Sequence, residues 1–184
     1  MRLYRFIIVL SFLFVSLNVN SQILTDEDKN SLSFFDQLVK LKKYDAAYEP
    51  WMELRLRNPK ADIAIYANDF GVKILKYKIE NSSGDQKVDY INDLLKLLEE
   101  KRKYFPNKTP LGYILSKSAK LQYDYMNELN LSKAEVYDKF DNAFRTDSET
   151  FNNPKNLYTY FVLIVDLYDE QLKSAEELFT KYDE

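Results

Sequence analysis

The sequence predicts an all-α fold of seven to eight helices stacked as antiparallel pairs. Three observations lead there. Apolar residues recur at spacings of three and four through most of the chain after residue 30. Capping and helix-ending residues separate these runs and leave only short connections. No stretch keeps a period-two alternation without a helical explanation. Residues 161–165 pass for a strand only out of their helical context, and no partner strand is on offer.

The start of the chain reads as an export signal over residues 1–21. Arg2 and Arg5 supply its positive end, and Phe6 to Leu17 is apolar except for Ser11 and Ser16. Val19 and Ser21 fit the small-residue positions before a cut at Gln22. That apolar run is about 18 Å long as a helix, short of a hydrocarbon core of roughly 30 Å. No later run has the length to span a membrane, so no transmembrane segment is expected in the mature chain. Residues 22–30 read as a polar leader. Residues 31–184 read as a single helical domain.

The first helix is expected over 31–42, capped by Ser31 or Ser33, with Leu32, Phe35, Leu38, Val39 and Leu41 as its apolar face. The second, 46–57, carries Ala47, Trp51 and Leu54 on one face, places Pro50 in its first turn and ends at Asn58-Pro59. The third, 61–79, shows Ile63, Tyr66, Ala67, Phe70, Ile74 and Tyr77. Gly71 lies in its middle at a cost of up to about 1 kcal/mol, which predicts a neighbouring helix packed close against that point. Asn81-Ser82-Ser83-Gly84 is a turn. The fourth helix, 86–104, carries Val88, Ile91, Leu94, Leu95 and Leu98.

Thr109-Pro110 reads as the cap and first position of a fifth helix reaching about residue 128. Ser132-Lys133-Ala134-Glu135 is a capping box that opens the sixth, with Val136, Tyr137, Phe140 and Phe144 inward. Pro154 starts the seventh, whose expected face is Leu157, Phe161, Ile164, Val165 and Tyr168. A last segment, 174–184, keeps Ala175, Leu178 and Phe179.

Composition excludes several classes of function. With no Cys and no His, the chain has no disulfide, thiolate metal site, cysteine nucleophile or Ser-His-Asp machinery. No cofactor or metal site is expected; carboxylate-only calcium or magnesium sites alone survive this filter. Removing Arg2 and Arg5 from the 26 basic residues leaves 24 against 29 acidic, a net charge of −5. That balance opposes nucleic-acid binding. Lys101-Arg102-Lys103 is flanked by Glu99 and Glu100 and reads as a solvated helix face.

Tyr44, Ala47 and Trp51, followed by Pro59, resemble the second helix of a tetratricopeptide repeat. Pro59 stands one residue late, and Leu54 occupies a position where a small residue is usual. A weaker echo is Val136, Phe140, Ala143 and Phe144. The regular 34-residue period is otherwise missing. The order of elements and the stretch from Lys42 to Trp51 resemble the N-terminal region of exported tetratricopeptide-containing proteins of the Bacteroidetes. The resemblance implies a right-handed stack of degenerate tetratricopeptide-like repeats. It also implies a place in the periplasm or on the periplasmic face of the outer membrane, and a role through contact with an envelope protein. It carries over no catalytic residues.

Acidic clusters read as surface. Asp26-Glu27-Asp28 lacks the spaced oxygens of a calcium loop. Glu99-Glu100 and Glu176-Glu177 diverge by about 100° on a helix and make no glycosidase pair. Asn81-Ser82-Ser83, Asn107-Lys108-Thr109 and Asn130-Leu131-Ser132 match a glycosylation pattern, yet they serve equally as turn and cap residues. Tyrosines suit helix seams and partner contact alike. In Tyr123-Asp124-Tyr125 and Tyr158-Thr159-Tyr160, one ring of each pair is expected nearer solvent. A partner-binding face is expected to combine Tyr66, Asp69 and Lys73 with Tyr113 and Lys117, with Tyr123 and Tyr158 as further contacts. The reading is a scaffold without catalytic activity that holds a protein partner. The alternatives are a domain binding envelope glycan or a small ligand and, behind it, a carboxylate-based enzyme.

Overall fold

The computed structural model describes residues 25–183, so the signal expected over 1–21 lies outside the described residues. These residues form eight α-helices and one 3₁₀ turn. The helices are α1 Asp26–Lys40, α2 Tyr44–Arg57, α3 Asp62–Glu80, α4 Gly84–Tyr104, α5 Leu111–Asp124, α6 Lys133–Thr146, α7 Pro154–Asp169 and α8 Ala175–Asp183. The 3₁₀ turn, Pro106–Lys108, links α4 to α5. The fold is all-α, and each helix packs on the next along the chain. Among the described residues, no helix is long and apolar enough to cross a membrane.

Side-chain pairs give the direction of packing. Tyr44 meets Tyr77 at one end of α2 and α3, while Trp51 meets Gly71 further along, so the two run antiparallel. Lys133 pairs with Asp166, and Tyr137 packs on Tyr160, which makes α6 and α7 antiparallel as well. Two cores result. The first lies within α1–α4 around Phe35, Trp51, Ile74, Leu75, Ile91 and Leu97. The second lies within α5–α8 around Val136, Phe140, Phe151, Tyr160 and Leu163. Leu121 of α5 is buried in the first core, so the seam between the two runs through α5.

Gly71 behaves as its position predicts. A Cβ there would fall inside the Trp51 indole, whose Nε1 would lie only 2.6 Å away. A bare backbone at Gly71 lets the tryptophan fill the α2–α3 interface. Arg55, one turn beyond Trp51, is buried over the indole at 5.2 Å. It reaches α4 through Asp93 at 2.7 Å and Glu100 at 2.8 Å.

Several boundaries differ from those expected. α1 starts at Asp26, inside the segment expected to be a polar leader. Thr25 and Asp28 form a reciprocal capping box there, in place of Ser31 or Ser33. α2 starts at Tyr44, which puts Pro50 inside the helix and not in its first turn. The ring removes a hydrogen bond at a cost of about 3 kcal/mol, and burial of Ala47, Trp51 and Leu54 offsets it. Thr109 does not cap α5. Its buried hydroxyl donates to the Lys101 and Phe105 carbonyls and so closes α4. α5 ends at Asp124, before a run of turns. The Ser132–Glu135 box opens α6 as expected.

The inward face of α7 differs most. The buried positions are Asn156, Thr159, Tyr160, Leu163, Ile164 and Leu167. Leu157, Phe161 and Tyr168, expected inside, are exposed. Burial of Tyr160, Leu163, Ile164 and Leu167 in the second core fixes that rotation, and it leaves Asn156 Nδ2 donating to Ser116 Oγ of α5 at 3.0 Å.

Candidate functional site

The seam between the two cores opens into a cleft. α3 contributes Val72 and Lys76, four residues apart and therefore on one face. α4 contributes Leu94 and Leu98 by the same spacing. On the other side α5 presents Tyr113, Lys117, Lys120, Leu121 and Asp124. The first turn of α7 closes the end with Asn153 and Asn156. Buried Leu94, Leu98 and Leu121 make the floor apolar, while the lysines and Tyr113 form the rim. The cavity measures about 150 Å³.

The rim is organised by local contacts. The Lys117 ammonium lies 5.5 Å from the centre of the Tyr113 ring. Lys120 pairs with Asp124 one turn on and also lies over Tyr123 at 5.3 Å. Asn153 caps α7, accepting from the backbone N–H groups of Lys155 at 3.0 Å and Asn156 at 3.3 Å. The positive end of the α7 dipole therefore abuts the cleft.

Of the residues expected to form a partner-binding face, Tyr113 and Lys117 line this cleft. Tyr66, Asp69 and Lys73 do not. Tyr66 leans toward α1, donating to Asp36 at 2.7 Å. Its ring meets Phe70, which carries Lys73 above it at 4.9 Å. Asp69 turns the other way and pairs with Lys101 of α4. α3 instead offers Val72 and Lys76, a choice that depends on how α3 meets α4 and α5. Tyr158 is 71% exposed and Tyr160 buried, as spacing two predicts. Tyr123 and Tyr125 are both half-buried. Tyr125 packs against the first core and Tyr123 against the second, so each ring has its own interior.

Two other concavities lie at the α6–α8 end. One, of about 580 Å³, is lined by Phe144, Phe151, Leu157, Tyr160, Phe161 and Lys181. Beside it Asp141 accepts from Tyr160 Oη at 2.5 Å and pairs with Arg145 at 2.6 Å and Lys181 at 3.1 Å. Burial pushes the Tyr160 phenol up, and its hydrogen bond to Asp141 adds to the shift. Burial raises the Asp141 carboxyl, but the Tyr160 and Lys181 hydrogen bonds outweigh it and hold the group below the usual carboxylate range. This carboxylate is an ion-pair partner holding α6, α7 and α8 together. Among the described residues, no cluster of acidic side chains could hold a metal ion.

The chain matches no protein-family model, no curated protein and no solved structure.

Proposed function

We propose that this chain is an exported, non-catalytic scaffold, built from degenerate tetratricopeptide-like repeats in a right-handed stack, that holds a protein partner. Its place is the periplasm or the periplasmic face of the outer membrane. The observation that carries this reading is the seam cleft. A cavity of about 150 Å³ is below the roughly 300–1,000 Å³ of sites that enclose small molecules. It suits one protruding side chain of a larger partner whose remainder rests on the rim.

A photocrosslinking amino acid placed at Tyr113 tests this in the source cells. One protein should be captured in near-stoichiometric yield, and the same amino acid at Tyr158, outside the cleft, should not capture it. Capture of nothing specific at Tyr113 overturns the scaffold reading. Cell fractionation tests the location: recovery in the cytoplasm overturns export.

The aromatic cavity beside α8 favours a second reading, small-ligand binding. Its volume of about 580 Å³ lies within the small-molecule range. Phenylalanine, leucine and tyrosine make most of its lining, with Ser148, Asn152 and Lys181 as the polar groups, which suits a largely apolar ligand better than a glycan. Calorimetric titration with envelope-glycan fragments and with apolar ligands separates those two outcomes.

A further inference from the structure

We infer that the seam cleft takes an acidic protein segment, seating one apolar side chain on Val72, Leu94, Leu98 and Leu121 and setting carboxylates against Lys76 and Lys117. The inference rests on the scaffold reading and adds the chemistry of the partner. Charge is its first ground. The chain carries more acidic than basic residues, yet the cleft presents Lys76, Lys117 and Lys120 against Asp124 alone. Asp124 is paired with Lys120. Most buried or half-buried cations elsewhere bridge helices to a carboxylate, as Arg55, Lys78, Lys87 and Lys101 do. Half-buried Lys117 carries no ion pair among the described residues, and exposed Lys76, also without one, flanks the same opening from α3. The N-terminal end of α7 adds positive potential at the third side. An acidic partner supplies what this rim lacks.

Size is the second ground. A cavity of 150 Å³ accommodates a group about the size of benzene, so the floor takes one leucine- or phenylalanine-sized side chain. A peptide with acidic residues on either side of one apolar residue satisfies both floor and rim. The lysines sit on separate helices, so a segment lying across the seam reaches both.

Fluorescence anisotropy with a labelled peptide tests this, using the protein expressed from its full sequence and purified from the envelope. The probe is an acetylated heptapeptide of Asp and Glu with one central Leu. Two controls replace that Leu with Ser, or all the acids with Lys. The acidic Leu peptide should bind saturably at one site, and raising the salt should weaken it. The Ser control should bind about tenfold more weakly, as expected for one buried aliphatic side chain. Lys76→Glu combined with Lys117→Glu should lower affinity at least about tenfold, whereas Lys96→Glu, a charge change outside the cleft lining, should not. Circular dichroism establishes that these variants remain folded. Equal binding of the Lys or Ser control, no effect of the double charge reversal, or no saturable binding up to about 1 mM overturns the inference. Failure of the scaffold reading looks different: no partner is then crosslinked at Tyr113. If a partner is crosslinked there and the double reversal leaves its capture unchanged, the scaffold reading stands and the acidic partner falls.

Discussion

Gly71 shows how one residue sets the spacing of two helices. In an open helix, Ala in place of Gly gains up to about 1 kcal/mol through backbone entropy. At Gly71 the added methyl meets the indole edge of Trp51, which is fully buried and has no space to retreat into. Overpacking of that kind costs about 1–3 kcal/mol and outweighs the propensity gain. Gly71→Ala is therefore expected to lower the urea midpoint, at unchanged slope, by the equivalent of about 1–2 kcal/mol. The indole atoms nearest the new methyl are Cζ2, Cε2 and Nε1, and a leucine, which ends at its δ carbons, has no atom in those places. In a Trp51→Leu background the same substitution should be neutral or stabilising. An equal loss in both backgrounds would mean that the indole is not the obstacle. Gly112 has a comparable role between α5 and α6, where a Cβ would meet the backbone N of Phe151 at 2.8 Å and Thr150 Oγ1 at 2.9 Å. Sequence periodicity drew attention to Gly71 because it lies in the middle of a long helix; Gly112 falls in the first turn of the expected fifth helix, where nothing in the pattern marks a close approach.

At the scale of elements, the start of α6, marked by reciprocal side chains, is legible in the sequence, whereas the Thr25–Asp28 box that opens α1 lies in a run that reads as polar leader. Ser132 accepts from the Glu135 N–H at 3.2 Å, and Glu135 accepts from the Ser132 N–H at 2.8 Å. Ser132→Ala should cost about 1 kcal/mol in thermal or urea unfolding; no measurable loss would show that tertiary packing alone holds the start of α6. The face of α7 was not legible, because residues 157–168 offer two overlapping apolar stripes. The choice between them comes from tertiary packing, which buries Tyr160, Leu163, Ile164 and Leu167 in the second core and pairs Asn156 with Ser116, distant in sequence. The cleft divides in the same way. Tyr113 and Lys117 could be paired from their spacing, but Val72, Lys76 and Asn153 join them only through the packing of separate helices. Between α5 and α6, Asp147 gives a pH-dependent joint. It accepts from the Thr150 hydroxyl at 2.5 Å and the Gly112 N–H at 3.0 Å. The Thr150 hydroxyl foremost, then the Gly112 N–H, hold its carboxyl below the ordinary value of 3.8. A carboxyl depressed in the folded state stabilises the protein fully above its unfolded pKa, and that stabilisation is lost as pH falls through the folded pKa. Asp147→Asn should thus lower stability at neutral pH and flatten its decline below about pH 4. Parallel stability curves for the two proteins between pH 2 and 7 would contradict this.

At the scale of the whole molecule, two four-helix cores share one seam, and the same seam holds the candidate site. Leu121 belongs to α5 but is buried in the first core, while Ala119, two residues earlier, belongs to the second. Tyr125 and Tyr123 repeat this division one turn on. α5 therefore couples the cores by burying alternate side chains in each, and the floor of the cleft is the exposed edge of that coupling. Leu121→Ala removes a coupling side chain, at a cost of about 2–5 kcal/mol for a leucine-sized deletion in a core. The way the loss is distributed is more informative than its size. The chain has a single tryptophan, Trp51, in the first core, so its fluorescence reports α1–α4, whereas far-ultraviolet circular dichroism reports all eight helices. In the native sequence the two probes should give coincident urea transitions, as one cooperative unit requires. In Leu121→Ala they should separate, with a shallower apparent slope by circular dichroism, because each core then unfolds at its own midpoint. Coincident transitions in the variant would mean that the remaining contacts across the seam suffice to couple the cores, and that Leu121 serves the first core alone.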